Sequence, residues 1–88
     1  MPQENTTLFD FEEIETEATR KTLEEVYDAL EKRGYNPVNQ IVGYLISGDP
    51  GYISSFKDAR TKMQQVDRAK VVEILLKEFR NKKWDILV

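Results

Sequence analysis

Catalysis and metal binding draw on a short list of side chains, and this sequence lacks the most versatile of them. It contains no histidine, the commonest general base and metal ligand, and no cysteine, so neither a thiolate nucleophile nor a thiolate metal site exists. Carboxylates are plentiful but badly placed for joint work. Glu12-Glu13 and Glu24-Glu25 are sequence neighbours, which diverge on a helix and cannot share a substrate. Asp49, Asp58 and Asp67 each stand where a helix would start and read as caps rather than ligands. No phosphate-binding glycine loop, dinucleotide fingerprint or zinc spacing is present. The chain is therefore expected not to be an enzyme and to carry no cofactor or metal.

The remaining side chains suit binding. Lys57, Arg60, Lys62, Arg68 and Lys70 fall in the second half and can touch phosphates, which opens a helix-turn-helix reading with nucleic acid as partner. Against it, the net charge is -3, and Asp58, Asp67 and Glu73 interrupt the basic run. Tyr35, Asn39, Gln40 and Tyr44 flank or lie on a very apolar segment and form a candidate binding face, since polar groups buried there would need partners. Near the N-terminus, Phe9 and Phe11 alternate with polar neighbours in Thr6-Thr7-Leu8-Phe9-Asp10-Phe11, a pattern that can dock as a linear motif.

The elements that must position these groups are helices. Residues 1–15 are acidic and polar without a helical stripe and read as a disordered arm. Thr16 or Thr19 can cap a first helix whose Leu23, Val26, Tyr27 and Leu30 form one apolar stripe, with Gly34 as its stop. Asn36-Pro37 is a cap followed by a favoured first residue, opening a second helix that carries Val38, Ile41, Val42, Leu45 and Ile46 and ends at Gly48. Asp49-Pro50-Gly51 repeats the start signal for about one turn, with Tyr52 and Ile53 as anchors. Ser55 with Asp58 resembles a capping box and opens a third helix bearing Phe56, Ala59 and Met63. Asp67 caps the last helix, with Val71, Val72, Leu75, Leu76 and Phe79 expected inward. The tail Trp84-Asp85-Ile86-Leu87-Val88 is apolar for a chain end.

These segments predict an all-α bundle of about four to five short helices: an arm at 1–15, a helical domain at 16–83 and a tail at 84–88. At 88 residues there is room for one domain with a modest core, and self-association is the cheapest source of further burial. Charge is unevenly spread. Residues 1–53 carry 4 basic and 11 acidic side chains, residues 54–88 carry 9 and 5. An acidic front and a basic rear suit contacts between copies or with a charged partner. No run approaches the roughly 18 apolar residues of a membrane span. Met1 to Asn5 lacks the basic start of a secretory signal, so a cytoplasmic location is expected.

The string Val26-Tyr27-Asp28-Ala29-Leu30, then Lys32 through Leu45 (reading Lys-Arg-Gly-Tyr-Asn-Pro-Val-Asn-Gln-Ile-Val-Gly-Tyr-Leu), then Ser47-Gly48-Asp49-Pro50, closely resembles the IreB/ReoM family of regulatory phosphoproteins. Tyr52-Ile53 and Lys57-Asp58-Ala59-Arg60 extend the likeness, which spans roughly residues 6–80. The resemblance implies a helical, intimate homodimer in the cytoplasm of Gram-positive bacteria. It implies phosphorylation by a transmembrane Ser/Thr kinase with external PASTA repeats and reversal by a PP2C-type phosphatase. The implied output is control of cell-wall synthesis and antibiotic tolerance, in part of the family through Clp-dependent breakdown of a peptidoglycan-precursor enzyme. The family's acceptor threonine maps onto Thr7, with Thr6 beside it, and the position three residues earlier is Glu4. Arg60 and Arg68 match the family's arginines, and with Lys57, Tyr35, Asn39 and Gln40 they are the expected partner-binding residues. Ser54-Ser55-Phe56 replaces a common Pro-Arg-His, and Gln64 and Gln65 stand where basic residues are frequent.

Overall fold

The computed structural model describes the backbone of residues 2–82 and the side chains of residues 11–82. Among these there are four α-helices and no strand: α1 (Pro2–Lys32), α2 (Pro37–Ser47), α3 (Ala59–Gln64) and α4 (Arg68–Asn81). Two short 3-10 turns, Pro50–Tyr52 and Phe56–Asp58, sit between α2 and α3. The all-α expectation holds. The tail 84–88 lies outside the described residues, and so do the side chains of Thr6 and Thr7, whose backbone belongs to α1.

Helix α1 begins at Pro2 rather than at Thr16 or Thr19. No glycine or proline occurs between Pro2 and Gly34, and Glu, Gln, Leu and Ala are good helix formers, so nothing local interrupts the helix. Thr19 is not a cap but a nearly fully buried residue inside α1. The stop is as expected: Gly34 takes φ +91, and the Tyr35 amide donates back to the Leu30 carbonyl at 3.0 Å.

The proline-led starts form as read. Asn36 Oδ1 accepts from the Asn39 amide at 3.1 Å, and Pro37 is the first residue of α2. Gly48 closes α2 at φ +77, its amide donating to Tyr44 O at 2.7 Å. Asp49 Oδ1 accepts from the Gly51 amide at 2.9 Å, and Asp67 Oδ1 from the Ala69 amide at 3.1 Å. The Ser55–Asp58 capping box does not form. Ser55 makes no side-chain cap bond, Lys57 and Asp58 adopt left-handed φ of +50 and +61, and the regular helix starts only at Ala59. Phe56 therefore belongs to the preceding turn, and the Ser54 hydroxyl accepts from its amide at 3.1 Å.

The core is small. Val26 and Leu30 of α1, Ile41 and Tyr44 of α2, Ile53, Ala59 and Met63 around α3, and Val71 of α4 form one buried cluster, with Leu23, Leu45 and Val66 packed on its edge. Helix α1 touches each of the other three helices and is the element they share. The inward assignment on α4 is corrected, and α2 likewise buries only part of its apolar surface. On α4, Val71 and Ile74 face the core, while Val72, Leu75, Leu76 and Phe79 are exposed, Leu76 at 63 %. On α2, Val38, Val42 and Ile46 are exposed, Ile46 at 81 %. Each of these helices has apolar residues on two faces, and a single thin bundle covers only one.

Candidate functional site

The expected partner-binding residues divide by location. Gln40 and Arg60 hold the connection between α2 and α3: Gln40 Oε1 accepts from the Ser54 amide at 2.9 Å, and Arg60 Nε donates to the Ile53 carbonyl at 2.8 Å. Buried main-chain groups need such partners, so both side chains have structural work to do. Lys57 stands at the turn of the same connection. Arg68 lies at the far end of α2, where its Nη1 donates to the Leu45 carbonyl at 3.0 Å and its guanidinium rests 5.9 Å from the Tyr44 ring centre. A cation there meets the negative end of the α2 dipole. It also lies against Gly48, where an added Cβ would come 3.0 Å from the Arg68 guanidinium carbon. Tyr35 and Asn39 are exposed at the start of α2, and the Asn39 amide is used in the cap.

Arg33 and Phe56 were not foreseen as site residues. The half-buried Phe56 ring has Arg33 Cζ at 5.4 Å and Lys57 Nζ at 5.7 Å from its centre. Both distances fall in the range of cation–π attraction. The meeting of Arg33 with residue 56 is a long-range contact that periodicity does not report.

Several charges elsewhere are paired, between helices or along one helix. Arg20 links α1 to α4 through Glu78, Nη2 to Oε2 at 2.6 Å. Its Nε is 3.3 Å from Glu17 Oε1, close enough for ion pairing but without hydrogen-bond alignment. Lys62 meets Glu25 at 3.7 Å, and Glu73 takes Lys77 at 2.9 Å and Lys70 at 3.6 Å. The Lys77 hydrogen bond, then the charge of Lys70, holds the Glu73 carboxyl below its ordinary range. The Glu73 hydrogen bond and charge, with a smaller pull from Glu12, raise Lys77. An open depression lined by Glu12, Glu13, Thr16, Glu17, Lys70 and Lys77 therefore presents mutually neutralising charges. Among the described residues no group of three acidic side chains is placed to hold a metal, and no helix is long and apolar enough to cross a membrane. Of the five cations in the helix-turn-helix reading, Arg60 and Arg68 serve main-chain carbonyls and Lys62 and Lys70 serve carboxylates. A helix α3 of 6 residues is also short for reading a groove.

What remains is a helical scaffold with tied arginines, an aromatic ring between two cations and two uncovered apolar faces. The family model for the IreB regulatory phosphoprotein matches residues 4–81. The chain belongs to the IreB family. That match runs from before Thr6 and Thr7 to the end of α4, so the IreB pattern takes in the candidate acceptors and every expected partner-binding residue. Membership makes this IreB chain one of a family of regulatory phosphoproteins.

Proposed function

We propose that the chain is a phosphorylation-controlled adaptor, modified on Thr7 by a transmembrane Ser/Thr kinase and acting by binding other proteins. The observation that carries this reading is the IreB match across residues 4–81, which includes Thr7 and its neighbour Thr6. A PP2C-type phosphatase resets the state. The output is control of cell-wall synthesis and antibiotic tolerance from the cytoplasm, exerted through Clp-dependent proteolysis of a peptidoglycan-precursor enzyme. Phosphate adds about -1.5 to -2 charges and three acceptor oxygens at one residue, enough to redirect an already acidic segment toward a basic surface. Lys57 is the expected partner-binding cation that does not already serve a main-chain carbonyl, as Arg60 and Arg68 do. No cofactor or catalytic group is required.

The adaptor works as a homodimer. Support comes from the uncovered face of α2 (Val38, Val42, Ile46) and that of α4 (Val72, Leu75, Leu76). Leu45 and Val72 line one depression beside Arg68, so the open face of α4 begins next to the end of α2. A monomer mass by light scattering at micromolar concentration would remove this part of the proposal.

The test of the main reading is to incubate the chain with the cytoplasmic domain of a PASTA-type kinase and locate phosphate by mass spectrometry, with Thr7→Ala and Thr6→Ala as controls. Phosphate on Thr7 that disappears in Thr7→Ala is the expected result. No phosphate from a kinase active on a control substrate overturns the assignment.

A further inference from the structure

We propose that Arg33, Phe56 and Lys57 form a docking site for a phosphorylated peptide, and that its occupant is the phospho-Thr7 segment of a second copy of this chain. The inference rests on the reading of Thr7 as acceptor and adds a receiving site that keeps Lys57 of the expected partner-binding residues, joins Arg33 and Phe56 to it, and leaves out Arg60 and Arg68.

Three observations converge on this corner. The first is charge without compensation. Arg20, Lys62, Lys70 and Lys77 each have a carboxylate within ion-pair distance, and Arg60 and Arg68 are spent on main-chain carbonyls. Arg33 and Lys57 have no carboxylate partner among the described residues, as is also true of Lys21, Lys32, Arg80 and Lys82; what sets these two apart is that they share the Phe56 ring, at 5.4 Å and 5.7 Å. Two cations at one ring repel each other, and an anion with several acceptor oxygens relieves that repulsion.

The second is backbone strain. Lys57 and Asp58 are consecutive left-handed residues, neither of them glycine. Each costs on the order of 1 kcal/mol, and such conformations concentrate at binding sites because the surrounding contacts hold them. Here the holding contacts are Gln40 to Ser54, Arg60 to Ile53 and the Ser54 hydroxyl to the Phe56 amide. The tied polar residues thus fix the turn that presents Lys57.

The third is complementarity of the occupant. In Thr7-Leu8-Phe9 an apolar pair follows the acceptor directly, and the half-buried Phe56 offers an apolar ring beside both cations. A phosphate on the guanidinium and ammonium would bring one of those apolar side chains near that ring. Docking within one chain is excluded by helix length. Thr7 and Lys32 are both in α1, and at about 1.5 Å per residue they lie roughly 37 Å apart. The acidic segment 1–15, with five carboxylates and no lysine or arginine, therefore reaches the Arg33–Lys57 corner of another copy.

The experiment uses a synthetic peptide of residues 1–15, with and without phosphate on Thr7, titrated into the full chain by calorimetry. This bypasses the kinase, so a failure of docking is distinct from a failure of Thr7 as acceptor. The phosphopeptide is expected to bind at least tenfold more tightly than the plain peptide, and Arg33→Gln with Lys57→Gln is expected to abolish the difference. Both residues are exposed, so an unchanged thermal melt should accompany the loss. Equal binding of the two peptides overturns the proposal. So does a phosphate preference that survives the double substitution but vanishes with Arg60→Gln and Arg68→Gln. Displacement by inorganic phosphate at the peptide's own concentration would assign the corner to the free ion and overturn the peptide as occupant.

Discussion

Gly43 shows how one missing side chain fixes a contact. A Cβ there would lie 2.5 Å from Tyr52 Cδ1 and 3.0 Å from Cγ, so the ring packs directly on the backbone of α2. Alanine at this position gains about 1 kcal/mol of helix propensity but must displace the ring, an overpacking cost of about 1–3 kcal/mol. Gly43→Ala is therefore expected to destabilise by about 1 kcal/mol, and to become stabilising by a similar amount in a Tyr52→Ala background. Urea melts of the four variants would show whether the sign reverses. A second expectation concerns Glu73, whose lowered pKa stems first from Lys77. A depressed carboxyl contributes stability above its unfolded pKa and loses it as pH falls through the folded value. The pair is solvent-exposed, so the effect is small and screened by salt. Glu73→Gln should flatten slightly the decline in melting temperature on acidification below the ordinary glutamate range, and in high salt the variant and parent should coincide.

The helices differ in how they are secured. Helix α2 has a side-chain cap, a proline at its first position, a left-handed glycine at its end and an arginine on its last carbonyls. Asn36→Ala should cost about 1 kcal/mol through the lost cap, measurable as a fall in denaturation midpoint at constant slope. Helix α3 has no side-chain cap and is held by Ala59 and Met63, both essentially fully buried. Met63→Ala should cost about 2–5 kcal/mol, a larger loss than any cap, because α3 has little else to hold it. A melt of Met63→Ala within 0.5 kcal/mol of the parent would contradict that account. Helix α4 is fixed to α1 by Val71, Ile74 and the Arg20–Glu78 pair, and it leaves its other apolar face open.

For the molecule as a unit, thinness is the governing property. The radius of gyration is 15.3 Å, against about 12 Å for a compact domain of this length. The excess reflects a 31-residue α1 longer than the helices packed on it. Such a shape leaves little interior, which is why α2 and α4 expose apolar residues. If a second copy covers those faces, Leu76→Glu with Ile46→Glu should convert a dimer to a monomer in light scattering while the far-ultraviolet circular dichroism of the folded chain is largely retained. Both residues are well exposed in the single chain, so their replacement leaves its own core intact.

Local signals were sufficient for most of the turns and caps, though not for the start of α1 or the opening of α3. Gly34, Asn36-Pro37, Gly48, Asp49-Pro50 and Asp67 act through their own backbone and immediate neighbours, and each formed the turn or cap its residue type favours. The stripe Val26–Leu30 likewise found the core because periodicity and burial coincide on α1. Periodicity was insufficient on α2 and α4, where apolar residues occupy two faces and only packing against α1 selects Ile41, Val71 and Ile74 over Ile46 and Leu76. The start of α1 was missed because the acidic segment lacks an apolar stripe, although its residues are good helix formers. Arg60, Arg68 and Gln40 were legible as polar residues that need partners, but which carbonyl or amide each serves depends on a long-range approach of the chain. The pairing of Arg33 with Phe56 belongs to the same class. It joins the end of α1 to the turn before α3, and no spacing along the sequence encodes a contact made only when two distant segments pack.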